Sequence, residues 1–537
     1  MSKTLNHWLL AAVAASLFLM QPAIAADRGR GQLVSAEWLE KNLQRDDVLV
    51  LDASPAKLYA ASHIPGAVNV DVFSFGGREV SAAEMEKRVQ SWGVSAGRKI
   101  VVYDQGATYL ATSLLFDLYY YGVPAGKLAI LDGGLAKWQA VGGVVTKDPT
   151  PAPKPGTFRI AKVKDDVRVR LPEFLVASGD PAKNALVEAL EPAQHFGAAK
   201  FFDRAGHIPN AVMAPTADFY NADKTFKSAD EIGRMMAYLG VTPEQQVYTH
   251  CGGGIAASVP FFAMKFMLDY PKVKLYKESQ LEWLRDDRGL PFWTYDAPNM
   301  TREKTWLSGW SNPMLRAFGV SKLSVVDVRS AASFKQSHVP FAINVPAEEF
   351  KRNLASPAKL AEVLGAAGVD AGYEAVIISD GGLNADSALA FLMLERLGQK
   401  RVSVFADTVD DWAFAGFPLD KQGLAIAPTT YPVNLRAGFV TDDANGAQGF
   451  YPKVYLASGK SLPTHVPDGK VIHVPYTELV SADGKPKAAK DIWSILVKAG
   501  VPRYAEIVSF SDDPGEAAAN YFILKMMGYP DVKVLVL

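Results

Sequence analysis

Cysteine is nearly absent. Cys251 is the one thiol among 537 residues, so no intramolecular disulfide and no thiolate metal cluster can form, and any thiol chemistry has a single address. An excess of charge is absent too: 56 Lys and Arg stand against 57 Asp and Glu, a net charge of -1. That balance removes the electrostatic reason to expect nucleic acid or an anionic membrane as the main partner. No HExxH, CxxC, EF-hand or Walker pattern occurs, and isolated G-x-G fragments lack the context of a dinucleotide site. Neither a metal nor a cofactor is expected. What is present, 49% hydrophobic and 21% charged residues, is the composition of a globular chain. At roughly 150 residues per domain, the length suggests three to four domains.

Residues 8–20 read WLLAAVAASLFLM, without a charge. A bilayer span needs about 20 apolar residues, so the run is short for one. Lys3 before it and Ala23-Ile24-Ala25 after it make the pattern of a secretory signal with a small-residue cleavage site. Residues 1–25 are expected to be removed, leaving Ala26 at the N-terminus of an exported protein without stable membrane insertion. In a Gram-negative bacterium that means the periplasm. No cysteine follows the run to carry a lipid anchor.

The rest of the chain repeats one plan. His-(Ile/Val)-Pro occurs at His63, His207, His338 and His465, at a domain-sized spacing. Upstream of the first three lies an apolar run ending in an acid: VLVLD to Asp52, NALVE to Glu188, LSVVD to Asp327. After all four come AVNVD, AVMAP, AINVP and VIHVP, then KIVVYD, QQVYTH, AVIISD and AEIVSF, each followed by a turn and a helical pattern. Strands alternating with helices predict an α/β fold, each unit a parallel sheet flanked by helices on both faces. Proline-rich joints at 148–156, 295–300 and 425–432 divide the chain into units 30–147, 157–295, 303–424 and 431–537. Ligands of such sheets bind at the carboxyl ends of strands, where the third run meets its turn.

These segments resemble the rhodanese-like domains of thiosulfate and 3-mercaptopyruvate sulfurtransferases. The resemblance rests on SHIPGAVNVD and LDGGLAKWQAVGG in the first unit, and on GHIPNAV, THCGGGIAAS and YKESQLEW in the second. VVDVRSAASFKQSHVPFAINVP and FADTVDDWAFAGFPL carry it in the third, and HVPDGKVIHVP, more weakly, in the fourth. It implies tandem rhodanese-like domains in which Cys251 is the catalytic residue. Gly252, Gly253, Gly254, Ile255 and Ala256 are then its active-site loop, and Arg204 is the candidate to bind the substrate anion. The matching positions elsewhere are Asp104, Asp380, and Ser511 or Asp512, so units one, three and four are expected to be inactive.

The chemistry needs a thiolate that attacks a sulfane sulfur and holds it as a persulfide, and a free cysteine with a pKa of about 8.5 is mostly protonated at neutral pH. Inward-pointing amides of the Gly252–Gly254 turn, and the start of a helix opened by Ala256, Ala257 and Ser258, supply positive potential. His250 is adjacent on the strand and so points to the opposite face. The His-(Ile/Val)-Pro histidines read as architectural, with His63 a partial exception because a domain pair could turn it toward the loop. Trp138 and Trp283 read as packing residues.

The loop has neither the basic residues of thiosulfate-type enzymes nor the serine of the mercaptopyruvate type. Thiosulfate is the preferred donor because an amide-lined loop binds a small oxyanion without further groups. Mercaptopyruvate leaves an enolate that needs a proton. The acceptor is expected to be cyanide, a thiol or a protein. A cysteine phosphatase is disfavoured, since the phosphate-clamping arginine six residues on is Ala257. The stronger rival is a sulfane-sulfur carrier or scaffold whose silent units dock partners.

Overall fold

The runs that end in an acid become central strands, buried on both faces as a parallel sheet demands. In the computed structural model, which describes residues 32–75, 79–200, 202–423, 426–442 and 449–536, there are four five-stranded sheets. The expected signal segment lies outside the described residues. The first sheet holds β1 (Leu33–Val34), β2 (Val48–Asp52), β3 (Val68–Asn69), β4 (Lys99–Tyr103) and β5 (Leu128–Leu131). The second holds β6 (Arg168–Val169), β7 (Asn184–Glu188), β8 (Ala211–Met213), β9 (Gln246–His250) and β10 (Val273–Tyr276). The third holds β11 (Thr301–Arg302), β12 (Leu323–Asp327), β13 (Ala342–Asn344), β14 (Glu374–Ile378) and β15 (Arg401–Phe405). The fourth holds β16 (Val440–Thr441), β17 (Lys453–Ala457), β18 (Val471–His473), β19 (Glu506–Phe510) and β20 (Val532–Leu535).

Every sheet has the same order, first–fifth–fourth–second–third, and every ladder is parallel, which is the α/β architecture the repeats imply. The third sheet starts at Thr301, two residues ahead of the expected unit start at 303, because Thr301 and Arg302 pair with Val404 and Phe405.

Alternation along the strands builds two kinds of core. In β4, Ile100 and Val102 face a core shared with the second sheet, while Val101 and Tyr103 face a smaller cluster around Trp138. The third and fourth sheets likewise share one core. The units therefore pair, one with two and three with four. Helix Leu110–Tyr120 crosses onto the Ser258–Phe262 helix, with Phe116 edge-on to Phe261 at 4.9 Å. Helix Ala385–Arg396 meets Pro514–Met526 through Phe391 and Phe522 at 4.8 Å. The two pairs touch through units two and four, where Asp218 accepts from Arg503 at 2.9 Å and from the Tyr504 hydroxyl at 2.6 Å. Among the described residues, no helix is long and apolar enough to cross a membrane.

Candidate active site

β9 delivers Cys251 one residue past its last paired position, His250 opposite Glu188. The side chain is 2% exposed and joins the core shared by units one and two. Its main chain is clamped by the segment after β10. The Cys251 N–H donates to Ser279 Oγ at 3.0 Å, and its carbonyl accepts from the Gln280 N–H at 3.1 Å. The Leu281 N–H donates to the Gly252 carbonyl at 2.8 Å, and the Gly254 N–H donates to Cys251 Sγ at 3.1 Å.

Of the three glycines only Gly254 has a positive φ, +78°, and a Cβ there would lie 1.9 Å from the Lys277 carbonyl. Gly253 is the exposed residue of the turn, and a Cβ on it would meet nothing within 4 Å. Ile255 and Ala256 are half-buried and follow the turn. The helix begins only at Ser258 and runs five residues before passing into a π-turn at Ala263–Met267. The loop amide on Sγ, rather than a long helix end, is therefore the electropositive group in contact with the sulfur.

Unit one closes the other side of the loop. Ser258 Oγ meets Thr112 Oγ1 at 2.7 Å and donates to the Ile255 carbonyl at 2.6 Å. Lys277 reaches across to Asp117 at 2.9 Å, both nearly fully buried.

Strand register identifies what stands at the cysteine position elsewhere. β4 ends at Tyr103 opposite Asp52, β14 at Ile378 opposite Asp327, and β19 at Phe510 opposite Ala457. The residues that follow are Asp104, Ser379 and Ser511. Asp380, expected from alignment on Ser387, is thus displaced by one, because the third unit's turn is one residue longer between strand and serine. The Asp104 carboxylate accepts from the Gly106 and Ala111 N–H groups at 2.8 and 3.0 Å, so in unit one a carboxylate fills the turn. Ser379 donates to the Gly382 carbonyl at 2.7 Å and Ser511 to Glu516 at 2.6 Å.

The family model described as "Rhodanese-like domain" matches residues 35–141 and 314–415. A putative thiosulfate sulfurtransferase of Synechococcus elongatus is 30% identical over 284 residues, 49% of this chain and 86% of that protein. The chain belongs to the rhodanese-like sulfurtransferases. The 3-mercaptopyruvate sulfurtransferase of Escherichia coli K12 is 29% identical over 271 residues, 47% of this chain and 94% of that protein. The sulfur carrier protein TtuD of Thermus thermophilus is 29% identical over 271 residues, 47% of this chain and 93% of that protein. Each relative therefore matches about half of this four-unit rhodanese-like chain.

Arg204, the candidate to bind the substrate anion, bonds to main-chain carbonyls in this structure. Its guanidinium donates to the carbonyls of Trp283 at 2.7 Å, Leu284 at 3.3 Å, Arg285 at 3.2 Å and Leu290, and lies 5.1 Å from the Phe292 ring. It fastens the segment that closes the second unit and makes no hydrogen bond to the cysteine loop. His63 does not turn to the loop either: it is buried, stacks on Tyr59 at 3.8 Å and donates Nδ1–H to the Tyr59 carbonyl. His338 does the same with Phe334, whereas His465 is exposed. Trp138 and Trp283 are buried and donate to the Val144 and Pro291 carbonyls.

In unit two the ring beneath the histidine is itself a histidine. His207 stacks on His195 at 3.7 Å with planes 2° apart. His195 is fully buried, bonded through Nδ1 to Glu188 and through Nε2 to Asp296 Oδ1 at 2.6 Å. Burial alone would push the His195 imidazolium down; the Asp296 and Glu188 carboxylates outweigh it and hold it up at about 9. Burial would likewise raise Glu188, but the same imidazolium holds it down at about 2. Burial and the His195 charge push His207 down to about 4, and burial takes His250, edge-on to Phe174, to about 4. Gln280 connects this cluster to the loop, with its side chain on Glu188 and its N–H on the Cys251 carbonyl.

His195, His207 and Asp296 bring three ligand-type atoms within 4.8 Å. A metal lies about 2 Å from each imidazole nitrogen and in the ring plane, and parallel stacked rings share no such point. The cluster in this arrangement holds a proton. Sequence reasoning missed it, although one signal was available: Tyr59 and Phe334 stand four residues before their histidines, while Asp203 stands there in unit two.

Proposed function

We propose that the chain moves sulfane sulfur from an anionic donor to a thiophilic acceptor through a persulfide on Cys251, with thiosulfate as the donor and 3-mercaptopyruvate the alternative. The observation that carries the reading is the Gly254 N–H on the Cys251 sulfur, one residue past the central strand, in the only unit with sulfur at that position. The Cys251 thiolate attacks the outer sulfur of thiosulfate; the S–S bond breaks and sulfite leaves with the bonding pair. The persulfide's outer sulfur then carries the negative charge, in a loop of Gly252, Gly253, Gly254, Ile255 and Ala256 whose amides favour an anion. Cyanide or a thiolate attacks that sulfur, and the Cys251 thiolate is the leaving group.

Neither half-reaction needs a proton, and Lys277, the ammonium beside the loop, is occupied by Asp117. That favours thiosulfate over a donor whose departing enolate must be protonated. Within this reading 157–295 is the catalytic unit, and 30–147, 303–424 and 431–537 are silent. The signal segment 1–25 adds export to the periplasm, which N-terminal sequencing of the periplasmic form tests.

A sulfur-carrier reading is favoured by the depth of Cys251, 2% exposed beneath Gly253, and by the name of the Thermus relative. Steady-state thiocyanate release from thiosulfate and cyanide separates the two. Parallel double-reciprocal lines with turnover above about 1 per second support the enzyme. A single sulfur delivered only to a protein acceptor supports the carrier.

A further inference from the structure

The third unit contains a helix that the first two lack. In unit one, helix Ala36–Asn42 leads directly to β2, and in unit two Leu171–Ser178 leads directly to β7. In unit three, helix Lys304–Trp310 is followed by an added helix, Pro313–Ala317, before β12. The added segment covers no core. Met314 is 67% exposed, Phe318 77% and Val320 56%, and Trp310 beside them is 41% exposed. Four large apolar side chains on one short stretch are an unpaid hydrophobic cost unless something covers them.

A groove of about 400 Å³ lies against this segment at the amino ends of the strands. Its walls carry the indoles of Trp306 and Trp310 and the cations Arg302, Lys322, Lys400 and Arg401. The one acid in the lining, Glu374, is already paired with Arg302 at 2.8 Å and accepts a hydrogen bond from the Ser403 hydroxyl at 2.8 Å. Arg302 is in turn held over the Trp306 ring at 4.1 Å. Lys322, Lys400 and Arg401 are exposed, and among the described residues no carboxylate lies within ion-pair distance of them. The groove thus offers three unspent positive charges around an aromatic floor.

We propose that this groove is a docking site for an acidic segment of a partner protein, its carboxylates on Lys322, Lys400 and Arg401 and an apolar side chain against the indole pair, whose ring centroids lie 6.0 Å apart. Charge complementarity fixes the sign of the partner, and Trp310, exposed beside Arg401 and Lys400 in the lining, is a residue type enriched in protein-interface hot spots. A small oxyanion would use the cations but leave the indoles and the added helix uncovered. An anionic lipid surface is the other occupant, which the vesicle control separates from an acidic peptide. The site lies on a unit without a cysteine, so it adds recognition to the chain independently of the sulfur chemistry.

The test is a fluorescence-anisotropy titration of the full chain with a labelled ten-residue peptide of Asp and Glu around a central Leu-Phe. Controls are the same peptide with every acid replaced by Lys, and phosphatidylglycerol vesicles. The expected result is saturable binding of the acidic peptide, weakened by salt and reduced about tenfold or more by Lys400→Glu with Arg401→Glu, and by Trp310→Ala. Thiosulfate-to-cyanide turnover is expected to be unchanged in the charge variants. No binding of the acidic peptide, equal binding of both peptides, insensitivity to these substitutions, or binding to the vesicles alone overturns the proposal.

Discussion

Replacing His195 by phenylalanine gives unit two the aromatic ring that units one and three already use under their buried histidine. If stacking were the whole role of His195, the variant would be as stable as the parent. The hydrogen bonds predict otherwise, because Glu188 is fully buried and Asp296 is pressed against Gly528 of unit four, where a Cβ would come within 1.6 Å of Asp296 Oδ2. Without the imidazolium both carboxylates lose their cation, and breaking a buried ion pair from one side costs about 3–5 kcal/mol. The pKa of His195 leads to a similar figure. A group held at about 9 rather than near 6.5 contributes roughly 3 kcal/mol below both values.

The sign follows from the direction: the contribution is complete below about pH 6.5 and is lost as pH rises through about 9. Calorimetry at pH 6, 7.5 and 9.5 reads it. At pH 6, His195→Phe is expected to lower the transition of the half containing unit two by roughly 6–12 °C, with the gap shrinking towards pH 9.5. Glu188→Gln in the variant background removes one stranded carboxylate and should restore about 1–2 kcal/mol. A variant as stable as the parent at pH 6, or a gap that does not change between pH 6 and 9.5, would refute the reasoning.

Other expectations rest on single positions. Gly254→Ala must move the loop away from the Lys277 carbonyl, so sulfur loading should fall about 100-fold, while Gly253→Ala should melt like the parent. Lys277→Met strands Asp117 at the interface of units one and two and should cost about 3–5 kcal/mol in urea unfolding, most of it recovered with Asp117→Leu. Arg204→Ala leaves main-chain carbonyls unpaired and should cost about 3 kcal/mol with the KM for thiosulfate unchanged; a raised KM at unchanged stability would return Arg204 to the substrate.

Much of the fold was legible because each unit repeats the same apolar strands and the same His-(Ile/Val)-Pro corner, and such strands need both faces covered. The pairing of units was less visible: Ile100 and Val101 are equally apolar, yet one faces the shared core and the other its own unit's cluster. The strand-end place of Cys251 and its following glycine turn were legible, but only Gly254 is required by the backbone. The slip from Ser379 to Asp380 came from loop length, which one sequence does not display. The carbonyl partners of Arg204 were not legible, because a carbonyl has no letter in the sequence. The His195 cluster gathers residues 188, 195, 207, 280 and 296, and that convergence exists only in the folded chain.

The central claim is that Cys251 stores the transferred sulfur. Intact mass of the full chain after thiosulfate, and again after cyanide, tests it most directly beside Cys251→Ser. The parent is expected to gain a single sulfur atom and the variant none, and cyanide is expected to remove that sulfur with release of thiocyanate. A parent that gains no sulfur from either thiosulfate or 3-mercaptopyruvate, or a Cys251→Ser chain that gains as much as the parent, would contradict it.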